Sequence, residues 1–337
     1  MERVQMPMEM TSSNAEISLN GETLQVPSAL IQGRTVVAMG RFVKLASVMD
    51  EEFYEDEAVP DFVAFIRALR DSRVKADIFH FARPQPDAGL KCPHLMEWDN
   101  EAVIPVTSYA DWFEKRLSQD GRRNVRKAAK LGVEVRLAPF DDDLVRGISS
   151  IYNETPVRQG RHFWHYGKDL ESVKRENATY LERSCFIGAY VGQELIGFIK
   201  MVLVGQTASI MQILSKEGHA SRRPTNALIA KAVEICAEKG LSRLTYCKYV
   251  YGKNDESQLT EFKRRNGFEK HLYPRYYVPL TWKGRLILRL RFHHGVSGAV
   301  PKPVWQFLVR QRARVYNLTK RRKTSDAASS VPNKGEF

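Results

Sequence analysis

The stretch that decides the fold runs from Thr207 to Phe268. It opens on Ala208-Ser-Ile-Met-Gln-Ile-Leu214, passes through Ser221-Arg-Arg-Pro-Thr-Asn226, and closes on Phe262-Lys-Arg-Arg-Asn-Gly-Phe268. The first segment has the apolar, β-branched character of a strand. Leu228, Ile229, Ala232, Val233, Ile235 and Cys236 then share one broad helical face, with Thr225 or Asn226 as the expected N-cap and Gly240 as the stop. A second strand is expected from Leu241 to Val250 and a second helix before Asn266-Gly267. A strand that feeds a helix through a polar turn leaves unpaired N–H groups at the helix start. Such a place suits an anionic or carbonyl ligand above the sheet.

Working outward, Cys185 to Val191, Leu195 to Val204 and the strand from Ala208 are joined only by Gly192-Gln193 and Gly205-Gln206. Links that short force an antiparallel meander ahead of the parallel crossover. Further upstream, Thr107 or Ser108 caps a helix that turns Trp112, Phe113 and Leu117 inward. A second helix from about Arg122 stops at Gly132, and 132–137 returns as a strand. Asn20-Gly21, between Glu16–Leu19 and Glu22–Val26, is a hairpin signal. Arg34–Met39, Phe42–Val48, Asp77–Phe81 and Ala102–Val106 read as strands, 61–69 as a short helix capped by Asp61, and Arg275–Leu280 as the last strand.

The order strand, loop, helix, strand, helix, with its terminal Asn-Gly-Phe, resembles the second half of a GNAT acyltransferase domain. Ser118-Gln-Asp-Gly-Arg-Arg-Asn-Val-Arg-Lys-Ala-Ala-Lys-Leu-Gly-Val-Glu-Val135 is similar to the start of the second lobe of Fem-type transferases, which carry two GNAT-like lobes. The resemblance covers roughly Trp112 to Leu280, and more weakly the hundred or so residues before it. It implies an α/β (α+β) fold with a mixed sheet and flanking helices, and a second, reduced GNAT-like lobe at the N-terminus. The expected organisation is a leader (1–15), the reduced lobe (16–106), the catalytic domain (107–280), a basic amphipathic extension (281–323) and a tail (324–337).

The 337 residues suffice for such a pair of lobes, and 43% hydrophobic content excludes wholesale disorder. Cys92, Cys185, Cys236 and Cys247 lack metal-binding spacing and read as buried free thiols. No stretch approaches the ~20 apolar residues of a membrane span, and the N-terminus does not read as a secretory signal. The expected location is cytoplasmic, with the inner face of the membrane as a peripheral site. From 281 to 323 there are twelve Lys or Arg and no acid, nearly the whole formal excess of +13. That segment reads as a membrane or tRNA contact, or as a docked helix with a basic tail.

The resemblance places oxyanion donors on the backbone of Met211 to Ser215, where two central strands splay, and donor contacts at Leu214, Ser215, Arg222, Thr225, Asn226 and Ala227. Acetyl-CoA-dependent relatives cradle a pyrophosphate with a Gly-rich loop. Here Thr225 replaces the central Gly, Pro224 lacks an N–H, and Lys263 stands where a Tyr often donates the leaving-group proton. The co-substrate therefore stays open between acyl-CoA and aminoacyl-tRNA, with no permanently bound cofactor and no metal.

Asn153 to Asp169 is the densest polar and aromatic cluster. In it Glu154 or His165 is the candidate to take an amine proton and Tyr166 to donate one. Arg158, Gln159, Arg161 and Lys168 suit an anionic acceptor. Gln212, Tyr246, Tyr249, Arg275 and the helical pair Arg123 and Lys127 complete the substrate-binding set; Arg275 either meets substrate or pairs with the acidic run from Asp50 to Glu57. The activity expected is acyl or aminoacyl transfer to an amino group of a cell-envelope sugar, lipid-linked or peptide acceptor. The alternative is a catalytically silent GNAT-like scaffold that binds membrane or RNA.

Overall fold

In chain order the computed structural model contains β1 (Ser12–Leu19), β2 (Glu22–Ile31), β3 (Arg34–Met39), β4 (Leu45–Val48), α1 (Phe62–Asp71), β5 (Ile78–Ala82) and β6 (Leu95–Pro105). Then come α2 (Tyr109–Asp111), α3 (Gln119–Lys130), β7 (Glu134–Ala138), α4 (Asp142–Tyr152), the small pair β8 (Val157–Arg158) and β9 (Arg161–His162), and α5 (Leu170–Asn177). The remainder is β10 (Ser184–Val191), β11 (Glu194–Val204), β12 (Thr207–Ser215), α6 (Pro224–Glu238), β13 (Arg243–Thr245), α7 (Gln258–Arg265), β14 (Glu269–Pro279) and α8 (Trp282–Arg289). The described residues are 12–19, 22–51, 62–82, 93–158, 160–252 and 257–294. The chain divides into two units, 1–278 and 279–337.

Twelve strands of the first unit pair in the order β1-β2-β3-β4-β5-β14-β6-β13-β12-β11-β10-β7. Two crossovers build it: β4 and β5 run parallel across α1, and β12 and β13 run parallel across α6. At the centre the halves exchange strands. β6 lies beside β13 of the second half, while β14, from the end of the second half, lies beside β5 of the first. That exchange fuses two lobes into one continuous sheet.

In the second lobe the sheet is covered on both faces, as the alternation of β10 requires. Ile187 and Ala189 pack with Trp112, Ala128 and the α6 residues Leu228, Ala232 and Val233. Phe186 points the other way, to Leu144, Ile148 and Ile151 of α4 and Val173 of α5. The Asn-Gly-Phe turn locks α7 to this core. Trp112 donates its indole N–H to Asn266 O at 3.2 Å. Gly267 holds φ +80, and a Cβ there would lie 2.8 Å from the same indole nitrogen. Only glycine meets both demands.

Several local expectations are corrected. β13 spans three residues and ends at Thr245, since Cys247 adopts φ 47 and turns the chain off the ladder. Tyr246 to Val250 therefore do not alternate across a strand, and Cys247 is exposed rather than buried. Cys236 is buried, Cys185 is partly so, and Cys92 lies outside the described residues. α6 begins one turn-position early: Pro224 is its first residue, Arg223 is the cap residue at φ 62, and Thr225 and Asn226 sit inside the first turn. Proline's fixed φ suits that first position. α3 starts at Gln119, capped by Ser118, whose hydroxyl accepts from Gly121 N at 3.0 Å. β1 begins at Ser12, within the expected leader, and pairs with β2 up to Leu19 opposite Glu22. The hairpin tip at 20–21 and the cap Asp61 fall outside the described residues.

In the second unit α8 is capped by Thr281, whose hydroxyl accepts from Gly284 N at 3.0 Å. The basic amphipathic stretch at 304–323 and the tail at 324–337 lie outside the described residues.

Candidate functional site

β12 pairs with β13 only from Thr207 to Ser209. From Ile210 to Ser215 the edge of β12 that faced β13 has no strand partner among the described residues. Its other edge stays paired to β11, with a bulge at Met211 where Gln212 sits opposite Lys200 and Ile210 opposite Met201. A bulge next to a parting of strands re-aims the chain and frees backbone groups. Directly beyond, α6 starts without a side-chain cap. Thr225 Oγ1 lies 3.1 Å from Ser215 Oγ, which ties the helix start to the strand end. Strand edge and helix N-terminus thus meet at one corner, and both present N–H groups.

The 153–169 loop folds under this corner as a tie rather than as an open acceptor site. Glu154 accepts from the backbone N–H of Glu217 at 2.6 Å and of Gly218 at 2.9 Å, and from Arg158 at 3.2 Å. Arg158 also donates to Ser215 O and to Ile151 O, both at 2.9 Å, and its guanidinium stacks 4.5 Å over Phe163. Both side chains tie the end of β12 to the end of α4. The expected base Glu154 and anion receptor Arg158 are thus both engaged in structural hydrogen bonds, and Arg158 Nε is buried without a partner.

His165 is sandwiched between Trp164, at a centroid distance of 3.7 Å, and Tyr152, at 4.1 Å. Gln212 Oε1 accepts the Tyr152 hydroxyl at 2.8 Å, so the Gln212 amide nitrogen faces His165 Nε2, at 3.0 Å. That assignment puts the imidazole proton on Nδ1. Glu176 lies 3.8 Å from Nδ1, too far for a hydrogen bond, and Lys168 pairs with the same carboxylate at 2.5 Å. Burial pushes the His165 pKa down, with Glu176 opposing, and pushes the Tyr152 phenol up to about 12. His165 is a neutral, stacked imidazole whose acceptor nitrogen is engaged by Gln212. Of the three catalytic candidates only Tyr166 has an exposed ring, and its backbone N–H closes the loop on Phe163 O at 2.9 Å.

The remaining candidates are dispersed. Arg275 is nearly enclosed between Asp99 at 2.8 Å, Glu51 at 2.7 Å and His80 at 3.1 Å, so it pairs with the acidic run and joins β14 to the first lobe instead of meeting substrate. Burial opposes charge at Asp99, yet Lys248 and Arg275 hold its carboxyl below the usual range. Arg222 donates to Leu131 O at 2.6 Å and caps α3. Asn226 bonds Asn266 Oδ1 at 2.8 Å. Tyr246 packs near Phe268 in the core, and Tyr249 packs against its margin. Arg123, Lys127 and Arg161 are exposed, whereas Gln159 lies outside the described residues.

Two lysines, Lys200 and Lys263, are buried. Lys200, 1% exposed, donates to Asn177 O at 2.9 Å and to Thr179 O at 2.7 Å, and so caps the carbonyl end of α5. Lys263 donates to Lys248 O and sits over the rings of Tyr246 and Tyr251. Burial lowers each ammonium to about 8. In a strand or helix a lone lysine normally marks the solvent face, so periodicity gave no signal for either.

The sequence matches no protein-family model and no curated protein. In structure the chain is similar to the C-terminal domain of a putative lysylphosphatidylglycerol synthetase from Agrobacterium fabrum, with TM-score 0.50 and 12% identity over 82% of this chain and 87% of that one. FemX aligns with TM-score 0.49 and 10% identity over 83% and 90% of the two chains. L-PGS from Bacillus licheniformis aligns with TM-score 0.49 and 11% identity over 82% and 88%. The likeness to the Agrobacterium fabrum domain is one of fold, a mixed sheet flanked by helices.

Proposed function

We propose that the protein transfers an acyl or aminoacyl group to an amine, at the corner where β12 leaves β13. One observation carries this reading: the edge of β12 from Ile210 to Ser215, without a strand partner on that side among the described residues, stands beside the uncapped start of α6. Acyl transfer to an amine needs donors aimed at the oxyanion that develops in the transition state, and preformed backbone N–H groups supply them without reorganisation. The helix start suits the anionic part of a donor. Glu154 and Arg158 hold the corner rigid, Gln212 is oriented by His165 and Tyr152, and Tyr166 is the proton carrier in this reading.

The donor is acyl-CoA or aminoacyl-tRNA, and Pro224 weighs toward the second. It removes one N–H from the helix start, which leaves a poorer cradle for a pyrophosphate. An amine-bearing sugar, lipid-linked or peptide acceptor of the cell envelope completes the proposal. The test is transfer of labelled acyl groups from acetyl-CoA, longer acyl-CoAs and charged tRNA to such amines. Product from one donor class, reduced by Tyr166→Phe, supports the reading; no product from any donor contradicts it.

A peripheral membrane contact has its own support in α8. Trp282, Leu286 and Leu290 form a ridge at spacing i, i+4, i+8 and are 75%, 48% and 51% exposed. Lys283, Arg285, Arg289 and Arg291 flank it, and Ile287 and Leu288 supply the buried side. An apolar ridge with a tryptophan and basic flanks suits an anionic bilayer surface better than a nucleic-acid backbone, which needs no apolar ridge.

A further inference from the structure

We propose that the first lobe carries a separate binding groove for a single anionic amphiphile, an acyl chain with a charged head, between the diverging ends of β2 and β3. The two strands pair only from Ser28 opposite Val37 to Ile31 opposite Arg34. Beyond that point β2 follows β1, pairing as far as Glu22, while β3 follows β4, with Met39 opposite Leu45. The ladder between them is missing over 24–27 and 38–40, and a cavity of about 420 Å³ opens there. That volume lies in the range of small-molecule sites.

The lining is sorted by chemistry. The strand ends contribute Leu24, Val26, Ala38 and Met39, all apolar. The residue before β4 and the link from α1 to β5 contribute Lys44, Arg73 and Lys75. No carboxylate lines the groove, and none of the three cations has a carboxylate partner among the described residues. Lys75 makes only a 3.4 Å contact to Ser72 O. The Lys44 segment is held in place: its N–H donates to Asp77 Oδ2 at 3.0 Å, and its carbonyl accepts from Asp77 N at 2.8 Å and Ile78 N at 3.2 Å. An added peptide strand is a poorer occupant, because Pro27 interrupts the donor row of β2. An apolar lining beside three cations that have no carboxylate partner among the described residues fits an acyl chain with an anionic head.

The groove is independent of the transfer site and is tested on the full chain by calorimetry. The probes are dodecyl phosphate, dodecyl maltoside and inorganic phosphate, each below its micelle concentration where one applies. Dodecyl phosphate is expected to bind one to one, with about tenfold weaker binding after Lys44→Gln with Arg73→Gln, the loss of charge-assisted hydrogen bonds. Leu24→Asp, at a partly exposed position, should weaken it comparably; circular dichroism melts confirm that both variants fold. No binding of dodecyl phosphate overturns the proposal. So does equal binding of the maltoside or of inorganic phosphate, or unchanged affinity in the folded variants.

Discussion

Gln212 and His165 share a hydrogen bond of 3.0 Å that fixes both side chains at once, since Gln212 also accepts the Tyr152 hydroxyl at 2.8 Å. The pair links β12 to the 153–169 loop; His165 and Tyr152 are buried and Gln212 is partly so. Gln212→Leu should therefore cost roughly 2–4 kcal/mol, because it orphans the imidazole nitrogen and the phenol together. Urea unfolding measures the loss. Adding Tyr152→Phe should recover part of it, as expected when one of the two orphaned groups is removed.

Glu154 is read as a tie, and amide exchange separates a tie from a base. In Glu154→Gln the N–H groups of Glu217 and Gly218, now bonded at 2.6 and 2.9 Å, should exchange at least about tenfold faster. A lost transfer rate with unchanged protection at both amides would identify a base instead.

Stability should depend on pH through the two buried lysines. Their folded pKa of about 8 lies below the ordinary 10.5, so the unfolded chain binds more protons between those values. Stability therefore rises with pH from about 8, by up to ~1.4 kcal/mol per pH unit for each lysine. The window closes near pH 10, where Tyr152, raised to about 12, keeps its proton in the folded state and reverses the sign. Lys200→Met should remove about half of the rise in chemical-denaturation measurements at pH 8 to 9.5.

Pro224→Ala restores an N–H at the first position of α6. If the donor's anionic part lies on that turn, KM for the donor should fall roughly two- to tenfold, the worth of one added hydrogen bond. Unchanged KM would move the anion elsewhere.

For α8, Trp282→Ser with Leu286→Ser should abolish most sedimentation with phosphatidylglycerol vesicles, while neutral phosphatidylcholine vesicles bind little of either protein. Equal sedimentation of variant and parent would place the contact outside this helix.

The sequence made the second lobe legible because its signals were local. Gly192-Gln193 and Gly205-Gln206 allowed only a meander, and Leu228 to Cys236 allowed only a buried helix face. Central relations were not local. The run from Tyr246 to Val250 has strand composition, but the chain turns at Cys247 and β6 pairs there instead. Nothing in periodicity shows that β6 and β14 exchange places, or that Arg275 reaches Glu51 across more than two hundred residues. Glu154 read as a base and Arg158 as an anion receptor because charged, aromatic-rich loops often carry sites. Their partners are main-chain groups, which sequence does not display.

The most direct test is backbone amide resonances of the labelled full chain, followed during titration with desulfo-CoA and, separately, with an aminoacyl-adenosine amide. Shifts centred on Ile210 to Ser215 and on Thr225 and Asn226, from one of the two ligands, are the expected result. Saturation with both ligands and no response at those amides would contradict a donor site where β12 parts from β13.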